Sequence, residues 1–249
     1  MSDPGLYIYA FVDRACAVDD LEGIGREAVE LVGERPPFAL ASPFAGERLR
    51  PDRRSLGAHQ RVLAAISKRA SVLPTTFGVV ADSAGELLEL IEANADEITD
   101  GLGRVSGCVE ICVRVLLDVP DVFYHLVLID DRLAALRDEL ARLGERAPHG
   151  LRVETGRRVE AVRGALCDEH TQETIAALED AAREIVPGPG GAERDLCSLA
   201  CLLEQDGVAA FDAAIESLAQ ALPDEVLISV GGPFAPHSFV NLNLAAQAA

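Results

Sequence analysis

Residues 56–80, LGAHQRVLAAISKRASVLPTTFGVV, hold the change of period on which the fold turns. Leu56, Val62 or Leu63, and Ile66 recur at helical spacing, and Lys68 and Arg69 lie near the end, where the helix dipole favours cations. From Ser71 the β-branched run 72–80 takes over and reads as a strand. Pro74 and Gly78 are backbone-shaping residues where that strand ends or bends. An amphipathic helix feeding an apolar strand predicts a mixed α and β fold. The stretch holds no nucleophile elbow, phosphate loop or metal pair.

Towards the N-terminus, residues 6–12, LYIYAFV, form a strand with Tyr7 and Tyr9 on one face and Leu6, Ile8 and Ala10 on the other. Residues 27–44 read as two short strands joined by a turn at 33–37, and the helix spans about 51–70. Beyond the quoted stretch, Ser83 caps a second helix, with Glu86 three residues on to complete a capping box. Its apolar face is Leu87, Ile91, Ala95 and Ile98, and the glycines at 101–103 are expected to end it. In 108–117, CVEICVRVLL, Val109, Ile111, Val113 and Val115 face one way and Cys108, Glu110, Cys112 and Arg114 the other. That polar face is open either to solvent or to a partner.

After Pro120 a helix carries Leu133, Leu136, Leu140 and Leu143 as a seam. A longer amphipathic helix follows over 155–186, with Val159, Val162, Leu166, Leu178 and Ile185 on its apolar side, until PGPGG at 187–191 stops it. Residues 196–203 are a strand, and Val208, Phe211, Ile215, Leu218 and Leu222 make a helix seam. A last strand at 225–230 precedes Gly231-Gly232-Pro233. This order predicts an α+β chain of two domains, 1–103 and 104–249, each a small sheet with helices packed on it.

A chain of 249 residues buries a real core, and with no Trp and three Tyr that core is built from Leu, Val, Ile and Ala. The net charge of −19 repels phosphate backbones and anionic lipid, so neither nucleic acid nor membrane is an expected partner. The N-terminal stretch lacks a basic region and a long apolar run, and the six cysteines are too sparse for a disulfide framework. A cytoplasmic protein with reduced thiols is expected.

Catalytic and metal readings fail on spacing. Cys108 and Cys112 on a strand stand about 13 Å apart, and Cys197 and Cys201 share the difficulty. His170, with Cys167, Asp168, Glu169 and Glu173 nearby on a helix, is the nearest approach to a ligand cluster, but the run reads as solvated surface. The Gly-rich segments at 101–103 and 188–191 lack the spacing and context of nucleotide loops. The expectation is therefore no enzyme, no metal and no cofactor. The apolar stripes of the helices at 132–143 and 155–186 either pack on their own sheet or accept an apolar helix from another protein.

Two motifs and two strands resemble those of one family. Ala58-His59-Gln60 with its helix, then Val72-Leu73-Pro74-Thr75-Thr76-Phe77-Gly78, is similar to the helix, VLP and FG hallmark of the gas vesicle protein F and L family. The closing Gly232-Pro233-Phe234-Ala235-Pro236-His237-Ser238-Phe239-Val240 resembles its GPWPPYSFV end, and the LYIYAFV and VEICVRV strands stand where the family has them. On this resemblance Pro74, Phe77, Gly78, Gly232, Pro233, Pro236, Ser238 and Phe239 are family-motif residues with a structural role. Thr76 replaces the family's usual Arg, and Phe234, Ala235 and His237 replace Trp, Pro and Tyr. The resemblance implies that the C-terminal domain is a modified ferredoxin-like fold with extra helices. It also implies an accessory protein of gas vesicle assembly, cytoplasmic and gas vesicle associated, that binds the apolar shell protein and other accessory proteins. A ferredoxin-like module binding a small molecule is the alternative, by analogy of fold alone.

Overall fold

The structure, a computed structural model, describes residues 5–46, 49–240 and 242. The LYIYAFV run forms β1, Gly5–Val12, and every residue from Tyr7 onward in it is buried, so the strand is covered on both faces. Around it lie β2 (Glu30–Val32), β3 (Phe38–Phe44), α1 (Arg53–Ile66), β4 (Val72–Pro74), β5 (Val80–Ala81), α2 (Ala84–Ala93) and α3 (Ala95–Val105). β3 pairs antiparallel with one edge of β1 and with β2, while β4 and β5 share the other edge of β1.

The single strand expected over 72–80 is therefore two. The chain leaves the ladder after Pro74, which has no N–H to give it. The Thr75 amide still donates to the Tyr9 carbonyl at 3.0 Å, and the Ile8 amide donates to the Val79 carbonyl at 3.0 Å. Between those two bonds the backbone loops outward through Gly78, whose φ of 98° suits glycine.

Asp52 caps α1 by accepting from the Ser55 amide, and the buried face of α1 is Ala58, His59, Val62, Leu63 and Ile66. Ala58, Val62, Leu63 and Ile66 pack with Tyr7, Tyr9, Leu40 and Val72 into one apolar cluster. Ser83 caps α2 as expected, accepting from the Glu86 amide at 3.1 Å. The helix expected to run straight from there breaks at Asn94, whose side-chain amide donates back to the Leu90 carbonyl at 2.8 Å. It resumes as α3 and passes through Gly101 and Gly103 to Val105, so those glycines do not end it. Gly101 instead lets α3 approach β4, because a Cβ there would stand 2.9 Å from a Leu73 methyl.

The remaining elements are β6 (Cys108–Leu117), α4 (Val122–Ile129), α5 (Asp131–Leu143), α6 (His149–Leu178), β7 (Glu184–Pro187), β8 (Asp195–Glu204), α7 (Val208–Ala221) and β9 (Val226–Phe234). The second sheet is antiparallel, in the order β7-β8-β6-β9. With helices after β6 and β8 this is the ferredoxin-like βαββαβ arrangement, carrying α4, α5 and α6 where the simple fold has one helix.

The leucine seam lies on α5, where the helix expected over 132–143 has it, but a separate helix precedes it: Asp130 ends α4 and caps α5 by accepting from the Leu133 amide at 2.7 Å. The long helix begins earlier and ends at Leu178, so Ile185 lies on β7. Its buried residues are Thr155, His170, Thr174 and Leu178, whereas Val159, Val162 and Leu166 are half-buried. At 100° per residue that triad points about 90° away from the His170–Thr174–Leu178 face.

By contact the chain divides into two compact units: Met1–Ile111 with Leu202–Asp206 and Gly232–Ala249, and Cys112–Cys201 with Gly207–Gly231. They are called the first and second units below.

Alanine at the two α3 glycines separates packing from propensity. Gly103→Ala, with nothing within 4 Å of the new Cβ, is expected to raise unfolding free energy by about 0.5–1 kcal/mol. Gly101→Ala is expected to lose that gain to the displaced Leu73, so that chemical denaturation ranks it about 1 kcal/mol or more below Gly103→Ala.

Candidate functional site

The helical register of α1 places His59 in line with Val62, Leu63 and Ile66, and its side chain is 2% exposed. Its Nδ1 lies 2.9 Å from the Tyr7 hydroxyl, which also accepts from the Gly78 amide at 3.3 Å. Burial pushes the Tyr7 phenol up, so it stays protonated and donates to Nδ1. The imidazole proton therefore resides on Nε2. Burial, and then the neighbouring His237, push His59 down to about 4, so the ring is neutral at pH 7.

Other rings enclose it. Tyr9 stacks at 5.7 Å between centroids, Phe77 meets His59 edge-on at 5.8 Å, and His237 lies 6.1 Å away. The Tyr9 hydroxyl is held by Ser42 Oγ at 2.9 Å and by the Ile24 amide at 2.7 Å.

A second group gathers on Glu110, which lies on the face of β6 expected to be polar and is 4% exposed. Its carboxylate accepts from the Ser238 amide at 2.8 Å and from the Ser238 hydroxyl at 2.9 Å. Gly232 presses on the same strand, where a Cβ would stand 2.9 Å from the Glu110 carbonyl oxygen, and its φ is 132°. The Pro236 carbonyl accepts from the Phe239 amide at 3.3 Å, and the Phe239 carbonyl accepts from Arg104 at 3.3 Å. Near Glu110, then, the face of β6 meets the C-terminal segment rather than solvent. His237 belongs to both groups: burial holds its imidazole below the usual value, partly countered by Glu110.

Beside His59 lies a cavity of about 550 Å³. His59, Pro74 and Thr75 form its buried floor, Phe77, His237 and Val240 are half-buried in its walls, and Leu56, Gln60 and Thr76 stand exposed at its rim.

The structure thus brings Pro74, Phe77 and Gly78 to the His59 group, and Gly232, Pro236, Ser238 and Phe239 to the Glu110 group. Pro233, joined to Gly232 by a cis peptide bond, is exposed. Reading the sequence missed His59, His237, Glu110 and Tyr7 as members of one arrangement. For His59 a signal existed, since it stands three, four and seven residues before Val62, Leu63 and Ile66. His170 is buried on α6 rather than solvated, and Cys108, Cys112, Cys197 and Cys201 lie on strands. Among the described residues no three metal-ligating side chains come together.

The fold and these clusters define a two-unit α+β protein whose second sheet is ferredoxin-like and whose closing segment is locked onto β6. The chain matches the model of the family "Gas vesicle synthesis protein GvpL/GvpF" over residues 5–241 and belongs to that family. It is 30% identical to gas vesicle protein F of Streptomyces sp. (strain CB03234), over 89% of this chain and 92% of that one. It is 25% identical to gas vesicle protein F2 of Halobacterium salinarum, over 100% and 98% of the two chains. The crystal structure of GvpF from Microcystis aeruginosa superposes with a TM-score of 0.78 at 22% identity, covering 96% of this chain and 99% of that one. GvpF from Anabaena sp. PCC7120 gives 0.79 at 20%, with the same coverage. These likenesses confirm the expected fold class. Membership implies a role in gas vesicle assembly, and among the described residues no helix is long and apolar enough to cross a membrane.

Two measurements check the site. Ser238→Ala removes a hydrogen bond to a buried carboxylate and is expected to cost about 1.5–3 kcal/mol in denaturant unfolding. His59, whose folded pKa lies below its unfolded value, contributes stability that is complete above pH ~6.5 and is lost as pH falls towards 4. Denaturation from pH 7.5 to 4 is expected to show an acid loss larger by up to about 3 kcal/mol in the parent than in His59→Gln, which keeps an acceptor for Tyr7.

Proposed function

We propose that this chain is a non-enzymatic accessory protein of gas vesicle assembly that binds the apolar shell protein and other accessory proteins, in the cytoplasm and at the growing vesicle. The observation that carries this reading is α4, VFYHLVLI, which has no charged residue. It exposes Phe123 (40%), Tyr124 (55%), Leu128 (66%) and Ile129 (51%). Exposed apolar side chains at this density mark a surface that a partner covers.

Next to Ile129, the half-buried Val162 and Leu166 of α6 extend the apolar surface within the second unit, bounded by the Asp130–Arg158 pair and Glu169. A shell subunit that aggregates when alone needs such a face. The net charge of −19 keeps the occupied pair soluble. Family membership supplies the setting in which such a partner is made.

Co-expression tests the reading. With the parent chain, shell protein is expected in the soluble fraction, bound to it. The double variant Leu128→Glu, Ile129→Glu is expected to lose most of that capture while its own unfolding midpoint moves little, because both side chains are exposed. Shell protein captured equally by parent and variant would contradict this placement of the binding face.

A further inference from the structure

We propose that the cavity beside His59 binds an uncharged small molecule that joins an amide or comparable carbonyl group to a short apolar group. This is independent of the shell-protein reading, since the site lies in the first unit and the α4 face in the second.

The first argument is charge. A quarter of the chain's residues are Asp, Glu, Lys or Arg, yet none of these lines the cavity among the described residues. Its two imidazoles are held neutral at pH 7 by burial. A carboxylate, phosphate or ammonium entering there would shed water without gaining a counter-charge, which costs more than the site can return. A neutral ligand meets no such penalty.

Hydrogen bonding narrows the chemistry. His59 Nδ1 is taken by Tyr7, which leaves Nε2–H as a donor, and that atom has no partner among the described residues. A buried donor left unpaired is unfavourable, so a ligand oxygen that reaches it is preferred there over an apolar group. The Thr75 hydroxyl is already committed to the Ile8 carbonyl at 2.7 Å. At the rim Gln60, whose Nε2 lies 3.4 Å from His237 Nε2, offers its Oε1 to a ligand N–H, as does the Thr76 hydroxyl. Phe77, Val79, Val240 and Leu242 supply apolar wall. About 550 Å³ falls within the roughly 300–1,000 Å³ typical of ligand pockets.

The experiment titrates the full chain, labelled with nitrogen-15, with three probes sharing one carbon skeleton: isovaleramide, isovalerate and isoamylamine. Imidazole resonances of His59 and His237 report occupancy. Isovaleramide is expected to shift both saturably, with the two ions at least about tenfold weaker. Leu56→Trp, which fills the rim from an exposed position, is expected to remove the response without changing thermal unfolding. The proposal is overturned if isovaleramide gives no saturable shift, if the ions bind as well, or if Leu56→Trp binds like the parent. It is also overturned if zinc alone binds both imidazoles and excludes the amide.

Discussion

β1 is buried on both faces and yet carries two phenols, and this constraint governs the first unit. A hydroxyl shut away from water must find a partner inside the protein. Tyr9 finds Ser42 and the Ile24 amide, which fastens β3 and the segment before β2 to the central strand. Tyr7 finds His59, which obliges α1 to present an imidazole to the core and excludes charge from it. The Gly78 amide on the same hydroxyl then fixes the loop between β4 and β5. One strand's polar groups thus position a helix, a loop and the cavity between them.

Glu110 solves the same problem at the other end of the chain. A carboxylate at 4% exposure needs donors, and Ser238 supplies both its amide and its hydroxyl. The GPFAPHSF segment is therefore held by chemistry as well as by packing. Gly232 is required because any Cβ would collide with the β6 backbone. That arrangement brings His237 to within 6.1 Å of His59, so residues from two distant sequence motifs share one wall.

Local sequence made the regular elements legible. The helical stretch of α1, the Ser83 cap of α2, the β6 strand and the turn between β2 and β3 appear where spacing places them, though the Glu86 carboxylate accepts from the Asp82 amide rather than closing a box on Ser83. The errors came where a single residue has two meanings. Gly101 and Gly103 look like helix terminators, but in α3 one of them makes room for Leu73. Asn94 divides a helix whose apolar seam reads as continuous. Three of the four buried residues of α6, Thr155, His170 and Thr174, are ones that hydropathy scores as surface. Glu110 was legible as a member of the polar face of β6, whereas its burial depends on a segment 128 residues away. Long-range partners of this kind leave no periodic trace.

In the proposed role, the apolar face formed by α4 and the adjoining stretch of α6 in the second unit is where the shell protein would bind. Hydrogen–deuterium exchange on the chain alone and on the co-expressed, co-purified complex with shell protein tests that directly. Slowed exchange is predicted in α4, over 122–129, and along 158–169 of α6. Protection confined to the first unit, with α4 exchanging as fast as in the free chain, would contradict it.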